Sequence, residues 1–454
     1  MTTLAFVVGV VFMAVGLALS IALHEVGHLV PAKRFGLRVP QYMVGFGPTV
    51  WSTRRGETEY GLKAIPLGGY IRMIGMFPPR PGDPAGTLRG SSTGRFSQLV
   101  DEARAASLEE LRPGDEDRVF YKLSVPKKVV IMLGGPTMNL LIGVILLTIL
   151  VTSHGILTPQ PGAVVQSVSQ CVVPATDVTQ TVSCEGRPAT PALAAGIRPE
   201  DRIVSIGGAP VEELTDVSAL VRPAAGNPVD IVVERAGERL TLTATPIRNV
   251  LPVLDSTGLP VVGPDGVAQT VEAGFLGVTT RQAAETVRQP MSAVPEILWT
   301  GLSRTAVALV HVPERMVGVW DAAFSGAERQ VDGPMSVVGV GRVAGEASSG
   351  RLDNLTGGSF ADRFWFLVGL IATLNLVLFL FNLIPLLPLD GGHVAGALWE
   401  GTKRQWARLR GRPDPGFVDV AKALPLAYSV AILLIGMSAL LIYADVVNPI
   451  DLGG

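Results

Sequence analysis

Residues 4–28 read LAFVVGVVFMAVGLALSIALHEVGH, a long apolar run that ends in three ionisable residues. Its first part, Leu4 to Leu23, contains no charged residue, and roughly 20 apolar residues of helix are enough to cross a bilayer. The ionisable side chains His24, Glu25 and His28 follow directly. The stretch therefore predicts a first transmembrane helix that carries an ionisable cluster at its end.

The cluster His24-Glu25-Val26-Gly27-His28 fits the pattern H-E-x-x-H. This spacing puts both imidazoles on one helix face, where they can bind one metal ion, and it puts Glu25 beside them as a base. The chain has only 5 histidines among 454 residues, so a chance match is improbable. Ionisable groups inside a membrane are costly and usually functional. The pattern indicates a Zn²⁺ site; two hydrogen-bonded core histidines are the alternative.

Three further apolar segments are long enough to span a bilayer. They are Val129 to Thr152, Phe364 to Leu389 and Ala423 to Ala444. Charged residues make up 17% of the chain, against about 25% in soluble domains. The predicted fold class is therefore membrane α-helical with four transmembrane helices. The net charge of −2 gives no reason to expect a nucleic-acid partner.

Basic residues are distributed unevenly between the loops. Residues 33–128 hold 16 Lys and Arg and residues 386–422 hold 6, whereas residues 153–363 hold 15 against 22 acidic residues. The positive-inside rule places residues 33–128 and 386–422 in the cytoplasm. We therefore expect a multi-pass protein of the cell inner (plasma) membrane, with the active site toward the cytoplasmic side. A cleaved signal peptide is disfavoured because no basic n-region precedes Leu4.

Between the helices, the sequence predicts a hairpin and a β-rich domain. Apolar strand-like runs near residue 45 alternate with glycine-rich turns, which suits a hairpin associated with the membrane. The predicted parts are helix 1 (1–33), the membrane-associated β-hairpin region (34–77), a charged cytoplasmic insert (78–128), helix 2 (129–152), the β-rich domain (162–247), an extracytoplasmic linker with an amphipathic helix (248–363), helix 3 (364–389), a cytoplasmic loop (390–422) and helix 4 (423–444). The amphipathic helix, near residues 290–325, lies either along the membrane or in a soluble core. Cys171 and Cys184 form either a disulfide or two free thiols.

A third zinc ligand must come from elsewhere, because catalytic zinc sites usually have three protein ligands. The run from Asn382 to Gly392 reads NLIPLLPLDGG. Its two prolines remove backbone donors and unwind the helix. The break holds the carboxylate of Asp390 at membrane depth, where a cation partner is needed. Asp390 is the predicted third ligand.

The chain contains both H-E-x-x-H and N-x-x-P-x-x-P-L-D-G-G. This pair of motifs resembles the signatures of the site-2 protease family of intramembrane zinc metalloproteases, in its bacterial regulator-of-sigma-E protease-like branch. The resemblance extends to Gly45-Phe46-Gly47-Pro48 and to the stretch from Gly134 to Asn139, and residues 191–208 resemble a PDZ domain. It implies that zinc is bound by His24, His28 and Asp390. It also implies that Glu25 is the general base and acid. Asn382 would hold the substrate backbone or the developing oxyanion; helix capping or packing is its alternative role.

The resemblance implies regulated intramembrane proteolysis in the lipid bilayer. The substrates would be single-span membrane proteins, either anti-sigma-factor-like proteins or remnant signal peptides, cut by zinc-activated water attack on an unwound segment. An extracytoplasmic PDZ-like domain would act as a gate. Two other interpretations are a PDZ scaffold or chaperone with a dead metal site, which needs no intact Glu25 or Asp390, and a metal transporter. Transporters usually carry internal repeats, which the sequence lacks.

Overall fold

The computed structural model describes residues 2–78, 112–173, 184–253, 269–327, 329–330, 333–356, 358–450 and 452. Most of the predicted charged insert, residues 79–111, lies outside the described residues, as does the middle of the cysteine-bearing segment. In chain order the elements are α1 (Thr2–Arg34), β1 (Gln41–Arg55), β2 (Thr58–Arg72), α2 (Val125–Ile149), β3 (Ile156–Val168), α3 (Pro191–Ala194), β4 (Arg202–Ile206), β5 (Ala209–Pro210), α4 (Leu214–Val221), β6 (Val229–Arg235), β7 (Glu238–Ala244), β8 (Ile247–Pro252), β9 (Thr270–Phe275), β10 (Val278–Val287), α5 (Val294–Val310), α6 (Val312–Phe324), α7 (Val337–Ser349), α8 (Asp353–Thr356), α9 (Phe360–Asn382), α10 (Asp390–Leu409) and α11 (Leu424–Val447).

The chain folds into two units. The helical unit comprises Met1–His154 and Gln289–Gly454, and the β-rich unit comprises Gly155–Arg288. Within its described residues, the helical unit contains four helices that are long and apolar enough to cross a membrane: α1, α2 with its π-helical extension to His154, α9, and α11 with the turn before it. These four helices match the four transmembrane helices that the sequence predicts.

The third of these helices is shorter at its end than the apolar segment suggested. A capping box starts α9, because the Ser359 hydroxyl accepts from the Asp362 N–H while the Asp362 carboxylate accepts from the Ser359 N–H. The helix ends at Asn382, before Pro385 and Pro388. Proline has no N–H to continue the helical hydrogen bonds, so residues 383–389 turn instead and a new helix starts at Asp390.

Helix α1 is the central element of the helical unit and packs against α2 and α7. Its approach to α2 is close enough that a Cβ on Gly27 would collide with the backbone carbonyl of Gly134, and a Cβ on Gly134 with that of Gly27. Small residues allow helix backbones to approach in this way inside a membrane. This contact brings the H-E-x-x-H turn of α1 against the middle of α2.

The predicted hairpin consists of two long strands, β1 and β2, that bend back on themselves. Residues 41–44 pair on one side with residues 59–62 and on the other with residues 69–72. Large apolar side chains are exposed toward the far end of the hairpin: Phe46, Val50, Trp51, Leu62 and Ile65. Among the described strands, only residues 41–44 pair with segment 69–72, so this segment is an edge of the sheet, and its Gly69 lies against Glu25 of α1.

Two helices lie where the sequence suggested loops, and a third region contains two helices where the sequence suggested one. The segment near 290–325 forms two helices, α5 and α6, because Pro313 starts a second helix after His311. Helix α10 occupies residues 390–409, most of the predicted cytoplasmic loop. Helix α7 packs along the first half of α1. The sequence pattern does not predict α10 as a helix, because its buried face carries Glu400 rather than an apolar stripe.

The β-rich unit extends beyond the predicted residues 162–247. Its main sheet has the order β10-β3-β4-β6-β7, with β5 on β4, and β8 pairs separately with β9. The additional strand β10 runs antiparallel to β3, from Val287 opposite Ile156 to Val278 opposite Val168. An apolar core lies within the described residues of the unit, with members that include Val165, Ile197, Ile203, Ile206, Val217, Ile231 and Leu276. Cys171 and Cys184 are joined by a disulfide.

Candidate metal centre

His24 and His28 lie one turn apart on α1, and their side chains point at each other. Their Nε2 atoms are 3.2 Å apart. Both side chains are largely buried, with 13% of His24 and 6% of His28 exposed. Two nitrogen atoms this close in a buried site need a shared cation or a shared proton. The two histidines of the H-E-x-x-H motif therefore present two nitrogen atoms that can bind one metal ion, as their spacing predicts.

Asp390 joins this pair from the other end of the chain. The turn at residues 383–389 makes it the first residue of α10, and Gly391 and Gly392 pack so closely on the backbone of residues 383–387 that neither has room for a Cβ. Its Oδ2 atom lies 3.3 Å from Nε2 of His24 and 3.4 Å from Nε2 of His28. The structure thus brings together the three residues that the sequence proposed as ligands.

Helix α2 contacts both histidines from behind. The Nδ1 atom of His28 is 2.8 Å from the backbone carbonyl of Ile131, and Nδ1 of His24 is 3.1 Å from the side-chain amide of Asn139. A ring that binds metal through Nε2 carries its proton on Nδ1 and donates it to an acceptor. The Ile131 carbonyl is such an acceptor. The buried Oδ1 of Asn139 has no partner among the described residues, and a half-turn of the amide would present it to His24.

Gly135 closes the site on the α2 side. A Cβ at this position would collide with the Nε2 atoms of both His24 and His28. The glycine leaves open the space between the donors, where a side chain would otherwise fill it. The sequence alone does not identify Gly135 as a site residue; the signal that could have done so is a pair of glycines and an asparagine inside an apolar helix.

The donor set fits zinc. Zinc bonds of about 2.0–2.1 Å place neighbouring ligand atoms of a tetrahedral site about 3.3–3.4 Å apart. The three separations here, 3.2, 3.3 and 3.4 Å, match that edge length. Asp390 Oδ2 is buried and accepts no hydrogen bond from the described residues, which suits an atom reserved for a cation. Two histidines and one carboxylate leave a fourth position open, as in catalytic zinc sites.

The remaining candidates, Glu25 and Asn382, lie on different elements. Glu25 faces β2, where a Cβ added to Gly69 would lie 3.1 Å from its Cγ atom. Asn382 is the last residue of α9 and is half-buried. Within the described chain, no hydrogen bond joins Asn382 to His24, His28 or Asp390. The structure therefore groups four of the five proposed residues around α1 and α10 and leaves Asn382 at the end of α9.

Comparison with known proteins gives a consistent picture. The family model described as "Peptidase family M50" matches residues 12–413. The chain is 35% identical to "Zinc metalloprotease Rip1" of Mycobacterium bovis over 98% of this chain and 99% of that protein, and 32% identical to the protein of the same name in Mycolicibacterium smegmatis over the same shares. It is also 24% identical to "Metalloprotease MmpA" of Caulobacter vibrioides, over 88% of this chain and 89% of that protein.

The family match covers most of the chain, and the first two relatives are similar over almost their entire lengths. The protein is a zinc metalloprotease, and its apolar helices place it in a membrane, where its substrates are membrane proteins. This chain belongs to peptidase family M50, the site-2 protease family of intramembrane metalloproteases.

Proposed function

We propose that His24, His28 and Asp390 hold the zinc ion, and that Glu25 is the general base and acid of peptide-bond hydrolysis. The observation that carries this proposal is the convergence of Nε2, Nε2 and Oδ2 within 3.2–3.4 Å of one another, although residue 390 is far from residues 24 and 28 in the chain. The space kept open by Gly135 supports it. Zinc, when bound, acts as a Lewis acid and lowers the pKa of water to about 7.

Glu25 is positioned to move the proton. It follows His24 directly on α1 and lies against Gly69, at the edge of the hairpin. From there its carboxylate takes a proton from the attacking water and returns it to the leaving amine. Asn382 donates from its amide to the oxyanion of the substrate carbonyl, and its side chain makes no hydrogen bond within the described residues that would compete with this role.

The substrate chain lies beside the edge of the hairpin in our proposal. Segment 69–72 pairs with residues 41–44 on one side, and no further described strand pairs with its other side. Gly69 lies next to Glu25. An unwound substrate segment that hydrogen-bonds to this edge would therefore pass beside the proposed base. The exposed apolar side chains of the hairpin, such as Val50 and Trp51, favour its association with the membrane.

The substrates in this proposal are single-span proteins of the inner (plasma) membrane. Lysine and arginine in residues 33–128 and 386–422 favour a cytoplasmic location of those loops, so the β-rich unit would lie outside the cytoplasm. The disulfide between Cys171 and Cys184 agrees with an oxidising compartment. This unit, PDZ-like by its sequence, would exclude substrates with a bulky external domain. Trimmed anti-sigma-factor-like proteins and remnant signal peptides would be admitted.

A cleavage assay tests the proposal. The protein is reconstituted with a single-span peptide that carries a removable external domain, stripped of metal with a chelator, and reloaded with zinc. We expect cleavage only with zinc and only of the trimmed peptide, and we expect deletion of residues 155–288 to permit cleavage of the untrimmed one. Zinc binding without any cleavage would instead favour the scaffold interpretation, and zinc flux across the vesicles would favour the transporter.

A further inference from the structure

The second half of α10 has an apolar face that is largely exposed. Its inner face carries Ala397, Glu400 and Ala407, which are buried. Its opposite face exposes large apolar side chains: Leu398 (55%), Trp399 (59%), Trp406 (56%) and Leu409 (80%). Exposed tryptophan and leucine on one side of a helix favour a partly apolar environment such as a membrane interface.

The position of this face agrees with the boundary of the bilayer. Glu400 forms an ion pair with Lys128, in the first turn of α2, so Trp399 lies at the level where that membrane span begins. Trp406 lies seven residues further along, about 10 Å at helical rise. Tryptophan side chains concentrate at this depth, where one part of the ring contacts hydrocarbon and another contacts head groups.

A cavity of about 470 Å³ opens between the tryptophans and the end of the helix. Its lining includes Trp399, Lys403, Trp406, Arg412, Pro413 and Pro415. Among the described residues, neither Lys403 nor Arg412 has an acidic partner. Residues 398–412 contain five basic residues and one acidic residue, Glu400, whose side chain is buried. Asp414, between the lining residues Pro413 and Pro415, pairs with Arg404. The cavity therefore combines an aromatic wall with two basic side chains that pair with no carboxylate among the described residues.

We propose that this cavity is a binding site for an anionic phospholipid of the adjacent leaflet. The phosphate pairs with Lys403 and Arg412, and the glycerol and upper acyl chains lie against Trp399 and Trp406. Charge complementarity favours an anionic head group, and the exposed apolar face, continuous with a membrane span, favours a lipid over a soluble anion. The site is separate from the proposed zinc chemistry, and it attaches the helix that begins with Asp390 to the membrane surface.

The test measures lipid binding by the purified full-length protein. Native mass spectrometry in detergent compares phosphatidylglycerol with phosphatidylcholine, for the wild type, for the double variant Lys403→Gln/Arg412→Gln, and for Arg408→Gln. Arg408 is an exposed basic residue of the same helix that does not line the cavity, so it is the matched control. Zinc content of each variant reports whether the fold and the metal centre are intact.

We expect the wild type to prefer phosphatidylglycerol, and we expect the double variant to lose about fivefold in binding per charge, roughly 30-fold in total. Arg408→Gln should lose at most about fivefold. Inorganic phosphate at millimolar concentration should not displace the lipid, because it cannot contact the aromatic wall. Equal binding of the two lipids, an unchanged double variant, displacement by phosphate alone, or a loss in the control as large as in the double variant would each overturn the proposal.

Discussion

Lys128 and Glu400 form a buried ion pair that fastens α10 to the start of α2. The Lys128 Nζ donates to both carboxylate oxygens, at 3.0 and 2.9 Å, and the two side chains are 5% and 3% exposed. Arg404 and the backbone N–H of Val418 also donate to Glu400. Helix α2 contacts the metal centre directly through Ile131, Gly135 and Asn139, and this ion pair also joins it to the helix that begins with Asp390.

Breaking this ion pair on one side should destabilise the helical unit. Lys128→Met leaves the Glu400 carboxylate buried with less compensation, and Glu400→Leu leaves the Lys128 ammonium buried without a carboxylate. Each change should lower the free energy of unfolding by about 3–5 kcal/mol. The double variant should lower it by less than the sum of the two single changes, because the pair's two charges are removed together. Thermal unfolding in detergent measures the cycle. The control is Lys127→Met, an exposed neighbour that should change stability by within about 0.5 kcal/mol. If the losses of the two single variants simply add up in the double variant, Lys128 and Glu400 do not stabilise each other.

Asn139 should orient His24 for metal binding. Asn139→Ala removes the acceptor for the Nδ1 proton, and loss of such a partner lowers metal affinity by about 10–100-fold. Competition with a fluorescent zinc chelator measures the affinity. Asn375→Ala is the control, because Asn375 is equally buried in α9 but bonds to Ser20 and to the Ile371 carbonyl. If both variants bind zinc alike, Asn139 has no special part in the site.

Gly135 should tolerate no side chain. In Gly135→Ala the methyl group would overlap the Nε2 atoms of His24 and His28, so the rings must turn or α2 must move away. We expect zinc content to fall below that of the Asn139→Ala protein, measured by atomic absorption. Gly436→Ala places the same methyl group in a membrane helix where nothing lies within 4 Å, and it should retain full zinc. Normal zinc content in Gly135→Ala would argue that the ligand set is different.

The sequence predicts the metal ligands of this site but not the contacts that support them. The spacing of His24 and His28 fixes their helix face, and the prolines after Asn382 foretell the break that carries Asp390. The Ile131 carbonyl could not be foreseen, because any residue type offers one. The pair of Lys128 and Glu400 was equally hidden, since 272 residues separate its members and only the packing of α10 on α2 joins them.

In the β-rich unit, Asp201 should make stability depend on pH. Burial acts to raise the pKa of Asp201, but hydrogen bonds from Arg235 and from the Arg198 N–H outweigh it and hold the pKa below its usual value. A lowered pKa means that Asp201 contributes stability above the ordinary aspartate pKa of about 3.9, and that this contribution is lost as the pH falls through the lowered pKa.

We therefore expect Asp201→Asn to cost about 1.5–3 kcal/mol at pH 7 and progressively less below about pH 4. Hydrogen exchange of β4, compared between wild type and variant at the same pH, measures the difference. Asp230→Asn is the control, because Asp230 is exposed and its carboxylate accepts a hydrogen bond from the Thr243 hydroxyl rather than from a charged group. A cost that does not change with pH would exclude ionised Asp201 as the cause.

The role of Glu25 is tested by the cleavage rate of Glu25→Gln, normalised to bound zinc, on a reconstituted single-span substrate. Glutamine keeps the size of the side chain but cannot accept the proton, while His24, His28 and Asp390 are untouched. We expect zinc content equal to that of the wild type and a cleavage rate at least about 100-fold lower. Cleavage at the wild-type rate per zinc ion would contradict the assignment of Glu25 as the base.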